Sequence, residues 1–124
     1  MHTTKTILVV EDFVAVQRFL RETLESKGYR TMGATNGDRA YDLLVNHSHP
    51  NLVLTDYHMP ESTGCDLLRK MKQNPELEKI PVILITAESD PEIIKDFENA
   101  GFAAWIKKPY RADVLIKEIE RSIQ

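Results

Sequence analysis

Five short apolar runs alternate with five stretches of helical periodicity along the chain, and this alternation restricts the fold more than any other feature. The apolar runs lie at 6–10, 29–34, 51–56, 80–86 and 102–106. Most of them lack the polar alternation of a half-exposed strand, which favours strands that are buried on both faces. The run at 29–34 is more mixed in polarity and is expected at an edge. Alternating strands and helices predict right-handed βαβ units around one parallel sheet.

The stretches between these runs carry apolar residues at helical spacing. The first predicted helix has such a stripe at Phe13, Val14, Val16, Leu20 and Leu24. Local signals mark helix ends: Asn36 is a capping residue, Pro91 suits a first helical position, and Gly28 and Gly101 suit helix stops. Thr63 and Asp66 have the spacing of a capping box, with Asp in place of the usual Glu. The pattern predicts five helices between and after the strands.

Length and composition restrict the possible function classes. The chain has 124 residues, which predicts a single domain spanning 1–124. Its net charge of -3 does not favour a nucleic-acid partner, and no apolar run approaches the length of a membrane span or a signal sequence. The one cysteine, Cys65, cannot form an internal disulfide. We therefore expect a reducing compartment, the cytoplasm by default.

Chemically active side chains stand at the ends of the predicted strands. Glu11 and Asp12 follow the first, Asp56 ends the third, Thr86 ends the fourth and Lys108 follows the fifth. The carboxyl ends of parallel strands meet at one edge of a sheet, where open α/β folds place their sites.

Three carboxylates at one edge resist ionisation together unless a cation lies among them, and Mg²⁺ suits such a site. Lys108 would add a second positive charge opposite Asp56, and Thr86 a hydroxyl. An aspartate in this setting is poorly suited to proton abstraction. It suits a nucleophile for phosphoryl transfer, because its neighbours neutralise charge on phosphoryl oxygens.

Each of these residues has a simpler interpretation when it is taken alone. Acids are common at helix starts, a threonine often ends a strand, and a lysine is usually a solvated surface residue. The joint placement of Glu11, Asp12, Asp56 and Lys108 is what favours a metal and phosphoryl site. Cys65 is expected to pack at a helix start rather than to react.

Four segments together resemble the receiver domain of two-component response regulators, especially the single-domain chemotaxis type. They are residues 8–13, residues 56–60 with Gly64, residues 86–88 and residues 108–109. Their order and spacing agree with that family over nearly the whole chain. The resemblance implies a flavodoxin-like (βα)5 three-layer sandwich, whose parallel five-stranded sheet has the order 2-1-3-4-5.

The resemblance also implies roles for the residues at the strand ends. Asp56 would be the phosphoacceptor, taking its phosphoryl group from a sensor histidine kinase or a histidine phosphotransfer protein. The Asp12 and Asp56 carboxylates and the His58 backbone carbonyl would bind Mg²⁺, and Glu11 would act through a coordinated water. Lys108 would pair with the phosphoryl group.

The resemblance also implies a conformational switch that responds to phosphorylation. Thr86 would turn toward the phosphoryl group, and Trp105 stands where the family usually has Tyr or Phe. The face formed by the fourth helix, fifth strand and fifth helix would bind the downstream protein. The Lys108–Pro109 bond is expected to be cis. Whether Trp105 moves or is a static core residue stays open from the sequence.

Three other function classes fit the sequence less well than a receiver does. An electron carrier of the flavodoxin kind needs a polar phosphate loop where Glu11 and Asp12 stand. A phosphatase with an aspartate nucleophile usually has a second acid two residues later, where this chain has His58. A receiver-shaped adaptor without phosphorylation would be expected to have lost site residues. We expect a non-enzymatic protein that only phosphorylates and dephosphorylates itself.

No output domain is expected within 1–124. The receiver could stand alone, serve as a phosphorelay intermediate or be a fragment of a longer regulator, and the sequence leaves these open.

Overall fold

A five-stranded parallel sheet forms the centre of the computed structural model, which describes residues 4–123. The strands are β1 (Thr6–Val10), β2 (Arg30–Ala34), β3 (Leu52–Asp56), β4 (Val82–Thr86) and β5 (Ala104–Lys107). They stand in the order β2-β1-β3-β4-β5. The predicted strand order and the predicted edge position of β2 are both confirmed.

Five helices cover the two faces of the sheet. They are α1 (Val14–Glu25), α2 (Gly37–Asn46), α3 (Gly64–Lys72), α4 (Pro91–Ala100) and α5 (Ala112–Ser122). Side chains from α1 and α5 pack with Ile7, Val9 and Ile83 on one face, and side chains from α2 and α3 pack with Leu8 and Val53 on the other. Helix α4 packs beside them through Phe97. The predicted three-layer sandwich is therefore confirmed.

The central strands are buried on both faces, as their uniform apolar composition predicts. In β3 the residues from Leu52 to Thr55 are buried, and every residue of β4 is buried. Such strands have no solvated face on which polar side chains would be tolerated. Their chemically active residues consequently lie at the strand ends.

Local signals set the helix starts as the sequence predicts. The Asn36 side chain accepts a hydrogen bond from the Arg39 N–H, and Thr63 and Asp66 form a reciprocal capping box. Asp90 caps α4, whose first residue is Pro91. These caps satisfy backbone donors that have no partner within the helix.

The predicted inner stripe of α1 is wrong in part. Leu20 and Leu24 are buried, but Phe13, Val14 and Val16 are exposed. Phe13 lies before the helix, so helical spacing does not bring its side chain to the core. Helix α1 instead faces the sheet through its second half and through two polar contacts to β2, made by Gln17 and Arg21.

A small antiparallel ribbon, absent from the sequence-based prediction, follows β3. His58–Met59 pairs with Ser62–Thr63, and Glu61 in the connecting turn has a φ of 69°. A positive φ is unusual for a residue with a side chain. The ribbon places His58 directly beyond the end of β3 and leads the chain into α3.

Within residues 4–123, no helix has the length and apolar character that crossing a membrane requires.

Candidate functional site

Three carboxylates meet at the carboxyl edge of the sheet. β1 and β3 are neighbours, with Val10 opposite Thr55, so the acids that end or follow these strands lie side by side. Glu11, Asp12 and Asp56 each offer an oxygen, and these atoms lie within 4.8 Å of one another. The structure brings together the three acids that the sequence singles out.

Lys108 supplies a positive charge to this cluster. Its Nζ lies 3.1 Å from Asp56 Oδ2 and 3.8 Å from Glu11 Oε1. The other Asp56 oxygen accepts a hydrogen bond from the Tyr57 N–H at 2.7 Å. The Lys108 N–H donates to the Thr86 carbonyl at 2.8 Å, and the Lys108–Pro109 peptide bond is cis. The ammonium is thus directed at the carboxylate that ends β3.

Glu11 is the most deeply buried of the three acids, with only 2% of its surface exposed. Burial raises its pKa to about 7, because a desolvated carboxylate is less stable in its charged form. The Phe13 N–H, which donates to Glu11 at 3.0 Å, lowers the pKa, while a hydrogen bond with Asp12 and the charge of Asp56 raise it further. A cation bound at this edge would therefore stabilise the ionised form of Glu11.

Thr86 lies beside Asp56 on the next strand. Asp56 is in register with Ile85 of β4, and Thr86 is the following residue. Its side chain is buried, and its hydroxyl accepts a hydrogen bond from the Glu88 N–H at 3.0 Å. The hydroxyl is therefore held against the loop that follows β4.

A chain of aromatic contacts connects the site to Trp105 on β5. The Tyr57 ring lies 4.8 Å from the His58 ring and 5.3 Å from Phe97, measured between centroids. Phe97 in turn lies 5.3 Å from Trp105 in an edge-to-face arrangement. Such offset pairs are favourable contacts between aromatic rings. The half-buried Trp105 thus contacts the interior through Phe97 rather than facing only solvent.

The His58 side chain is largely exposed, but it also has a partner. Its Nε2 lies 2.6 Å from Glu88 Oε2. Hydrogen bonds from the Asp90 N–H and from His58 lower the pKa of Glu88. The role of the His58 backbone carbonyl as a metal ligand stays a prediction.

Two residues support the site in ways that the sequence does not predict: Gly64 belongs to the receiver resemblance without an assigned role, and Gln17 belongs to no motif. Gly64 leaves no room for a side chain, since a Cβ there would lie 2.7 Å from the Asp56 carbonyl and 2.9 Å from Leu84 Cδ1. The Gln17 amide donates to the carbonyls of Glu11 and Ala34, joining α1 to the ends of β1 and β2. A glycine after a capping residue could have signalled the first, but no local pattern signals the second.

Cys65 packs at the start of α3 as predicted. It is fully buried, and burial raises the pKa of its thiol to about 12, with a further rise from Asp96. A thiol with so high a pKa is protonated and unreactive at neutral pH.

A model of the response regulator receiver domain matches residues 7–120, which is most of the chain. The chain belongs to the response regulator receiver family. Receivers of this family act in two-component systems and accept a phosphoryl group on an aspartate. The resemblance drawn from the strand-end residues is confirmed.

Individual receiver proteins share about a third of the sequence. The chemotaxis protein CheY of Pseudomonas aeruginosa is 35% identical over 116 residues, which cover 93% of each chain. The polar-differentiation response regulator DivK of Brucella ovis is 35% identical over 120 residues, covering 94% of each chain. Both similarities extend over nearly the full length of the proteins compared.

Solved receiver structures superpose closely. The signal receiver domain of a histidine kinase from Syntrophus aciditrophicus has a TM-score of 0.92 and 36% identity, covering 97% of this chain and 90% of that one. The chemotaxis regulator CheY4 of Vibrio cholerae has a TM-score of 0.88 at 23% identity, covering 97% and 99%, and this likeness bears on the fold alone. The flavodoxin-like receiver fold is confirmed.

Proposed function

We propose that Asp56 accepts a phosphoryl group from a phosphohistidine on a sensor histidine kinase or a histidine phosphotransfer protein, in a reaction that depends on Mg²⁺. The observation that carries this proposal is the position of the Asp56 carboxylate, which lies among two further acids and 3.1 Å from the Lys108 ammonium. Receiver domains accept phosphoryl groups on aspartate, and Asp56 is the one of these three acids that ends the central strand β3.

The proposed transfer uses Asp56 as a nucleophile. A carboxylate oxygen attacks phosphorus, the P–N bond of the phosphohistidine breaks, and the imidazole leaves with its electron pair and takes up a proton. Lys108 offsets negative charge on the phosphoryl oxygens, because its ammonium already contacts the attacking carboxylate. The Tyr57 N–H holds the other carboxylate oxygen and thereby fixes the orientation of the group.

The donor set fits Mg²⁺, which prefers oxygen ligands and keeps several waters. Asp12 and Asp56 would bind the ion through their carboxylates, with the His58 carbonyl as a third ligand, and Glu11 would act through water. When bound, the ion would neutralise charge that develops on the phosphoryl oxygens. The raised pKa of Glu11 supports this assignment, because burial, with a smaller contribution from the charge of Asp56, disfavours its charged form and a bound cation would stabilise it.

We further propose that phosphorylation changes the face formed by α4, β5 and α5. Thr86 would turn toward the phosphoryl group, and Trp105 would respond. The contacts from Tyr57 through Phe97 to Trp105 support this coupling, because they join the residue after Asp56 to β5. The downstream protein would bind near Trp105, Lys107, Tyr110 and Ile116.

The activity proposed here is self-modification rather than turnover of other phosphate esters. His58 stands where a hydrolase with an aspartate nucleophile would place its second acid, and its ring is paired with Glu88. We also propose a cytoplasmic location, which the single buried Cys65 supports because it forms no disulfide.

Incubation with acetyl phosphate and Mg²⁺, followed by intact mass measurement, tests the proposal. The wild-type protein should gain one phosphoryl group, and chelation of Mg²⁺ or the substitution Asp56→Asn should abolish the gain. Asp38→Asn, which removes an exposed aspartate at the start of α2, is the matched control and should be labelled like wild type. Equal labelling of wild type and Asp56→Asn would contradict the proposal.

A further inference from the structure

A side-chain hydrogen bond joins the two loops that follow β3 and β4. His58 Nε2 lies 2.6 Å from Glu88 Oε2, although 30 residues separate them in the sequence. The imidazole is 64% exposed, whereas the Glu88 side chain is only 16% exposed. Exposed polar contacts of this kind, charged or not, contribute little when both side chains must be ordered for the contact. The effect of this pair therefore depends on how firmly Glu88 is already held.

Hydrogen bonds within its own loop hold the Glu88 carboxylate, independently of His58. One of its oxygens, Oε1, accepts hydrogen bonds from the Ser89 N–H at 3.2 Å and the Asp90 N–H at 3.0 Å. The other oxygen faces His58. Both oxygens of the carboxylate are thus engaged, which leaves the side chain little rotational freedom. The hydrogen bond to His58 therefore fixes the loop to the ribbon that carries His58.

The same loop holds the hydroxyl of Thr86. The Glu88 N–H donates to Thr86 Oγ1 at 3.0 Å, and Thr86 is completely buried. Among the described residues, the Thr86 hydroxyl has no hydrogen bond to Asp56 or Lys108. Turning it toward a phosphoryl group on Asp56 would move Oγ1 away from the Glu88 N–H. The contacts that hold Glu88 in place therefore oppose this movement of Thr86.

We propose that the His58–Glu88 hydrogen bond restrains the loop after β4 and so opposes the rotation of Thr86. His58 and Glu88 are then positioning residues: they act on the switch through Thr86 and set how readily the domain changes state. This inference rests on the proposed function, because it concerns the response of the same site to a phosphoryl group. Loss of one such hydrogen bond should change the switching equilibrium by about three- to tenfold.

Calorimetric titration with beryllofluoride, a phosphoryl mimic, in the presence of Mg²⁺ tests this inference on the full chain. His58→Ala and Glu88→Ala should each tighten the binding of beryllofluoride by about three- to tenfold. The double variant should bind no more tightly than the better single variant, because all three lack the same contact. Glu92→Gln, which removes an exposed acid from the first turn of α4, is the control and should bind like wild type.

The sign of the His58→Ala effect decides between restraint and simple electrostatics. Removal of an imidazole beside an acidic site would weaken the binding of an anion if its charge alone mattered. Unchanged or weaker binding by His58→Ala, or additive effects in the double variant, would overturn the inference while leaving the proposed function intact. Failure of the wild-type protein to bind beryllofluoride would overturn both.

Discussion

The ammonium of Lys108 lies 3.1 Å from the carboxylate of Asp56, although the two residues are 52 positions apart in the sequence. Asp56 ends β3 and Lys108 directly follows β5, with β4 between these strands in the sheet. The contact therefore exists only once the parallel sheet has assembled. It gives Asp56 a close positive partner, which also lies 3.8 Å from Glu11.

Substitution of Lys108 by Ala should separate cation binding from phosphoryl transfer. Loss of the ammonium removes a charge that repels a dication, so the affinity for Mg²⁺ should rise by several-fold. The same loss should slow phosphorylation by acetyl phosphate by about 100-fold or more, because a group that stabilises the developing charge is gone. Titration with Mg²⁺ and rates of labelling measure the two effects. Lys107→Ala, on the exposed end of β5, should change neither, and parallel losses in both measurements would contradict this account.

The pKa of Glu11 makes stability depend on pH. Because that pKa is raised from 4.5 to about 7, the folded protein binds more protons than the unfolded chain between these values. The stabilisation is complete below pH 4.5 and is lost as the pH rises through about 7. At about 1.4 kcal/mol per pKa unit, the loss reaches at most about 3–4 kcal/mol. Urea unfolding in the presence of a chelator, compared with Glu11→Gln, should show this loss only in the wild-type protein.

The affinity for Mg²⁺ should also depend on the ionisation of Glu11. In contrast to the stability of the fold, it should rise with pH. A cation favours the ionised carboxylate, so its affinity should fall as the pH drops below 7, by about tenfold per unit when one proton is displaced. Fluorescence or calorimetric titrations at pH 6 and pH 8 measure this dependence. An affinity that is the same at both values would show that Glu11 does not take part.

Gly64 should be indispensable for the geometry at Asp56. A methyl group there would meet the Asp56 carbonyl and the Leu84 side chain, and overpacking of this kind costs about 1–3 kcal/mol. Gly64→Ala should therefore lower the free energy of unfolding and slow phosphorylation. Gly28→Ala adds a methyl group where nothing lies within 4 Å, at a φ of 94°. It should cost stability through backbone strain alone and leave phosphorylation unchanged, so equal rates for the two variants would argue against the packing explanation.

Trp105 provides an optical test of the proposed switch. It contacts Phe97, which contacts Tyr57 next to Asp56. Its emission should change when beryllofluoride is added to the Mg²⁺-bound protein, and Asp56→Asn should remove that change. Phe97→Leu, which interrupts the aromatic contacts, should reduce the change without abolishing phosphorylation. An unchanged emission in the wild-type protein would mean that Trp105 is a static core residue.

The placement of the site residues at the strand ends could be predicted, because two features of the sequence indicate it. Asp56 interrupts an apolar run, and a strand buried on both faces has few other places for a charge. Neighbouring parallel strands end at the same edge, so the meeting of Glu11 with Asp56 follows from the predicted fold.

Other features depend on tertiary contacts that no local pattern carries. The pairing of His58 with Glu88 needs the relative placement of two loops, and the ribbon around Glu61 is only two residues long on each side. The exposure of Val14 and Val16 contradicts the predicted inner stripe of α1, because this helix contacts β2 partly through polar side chains. The burial that raises the pKa of Glu11 likewise appears only in the folded chain.

Chemical identification of the phosphorylated residue tests the central claim most directly. Borohydride reduces an aspartyl phosphate to homoserine, and peptide mass spectrometry then locates the modified position. After treatment with acetyl phosphate and Mg²⁺, we predict homoserine at position 56 and unmodified residues at Asp12 and Glu11. Modification of another acid, or none in a protein that binds Mg²⁺, would contradict the assignment of Asp56 as the phosphoacceptor.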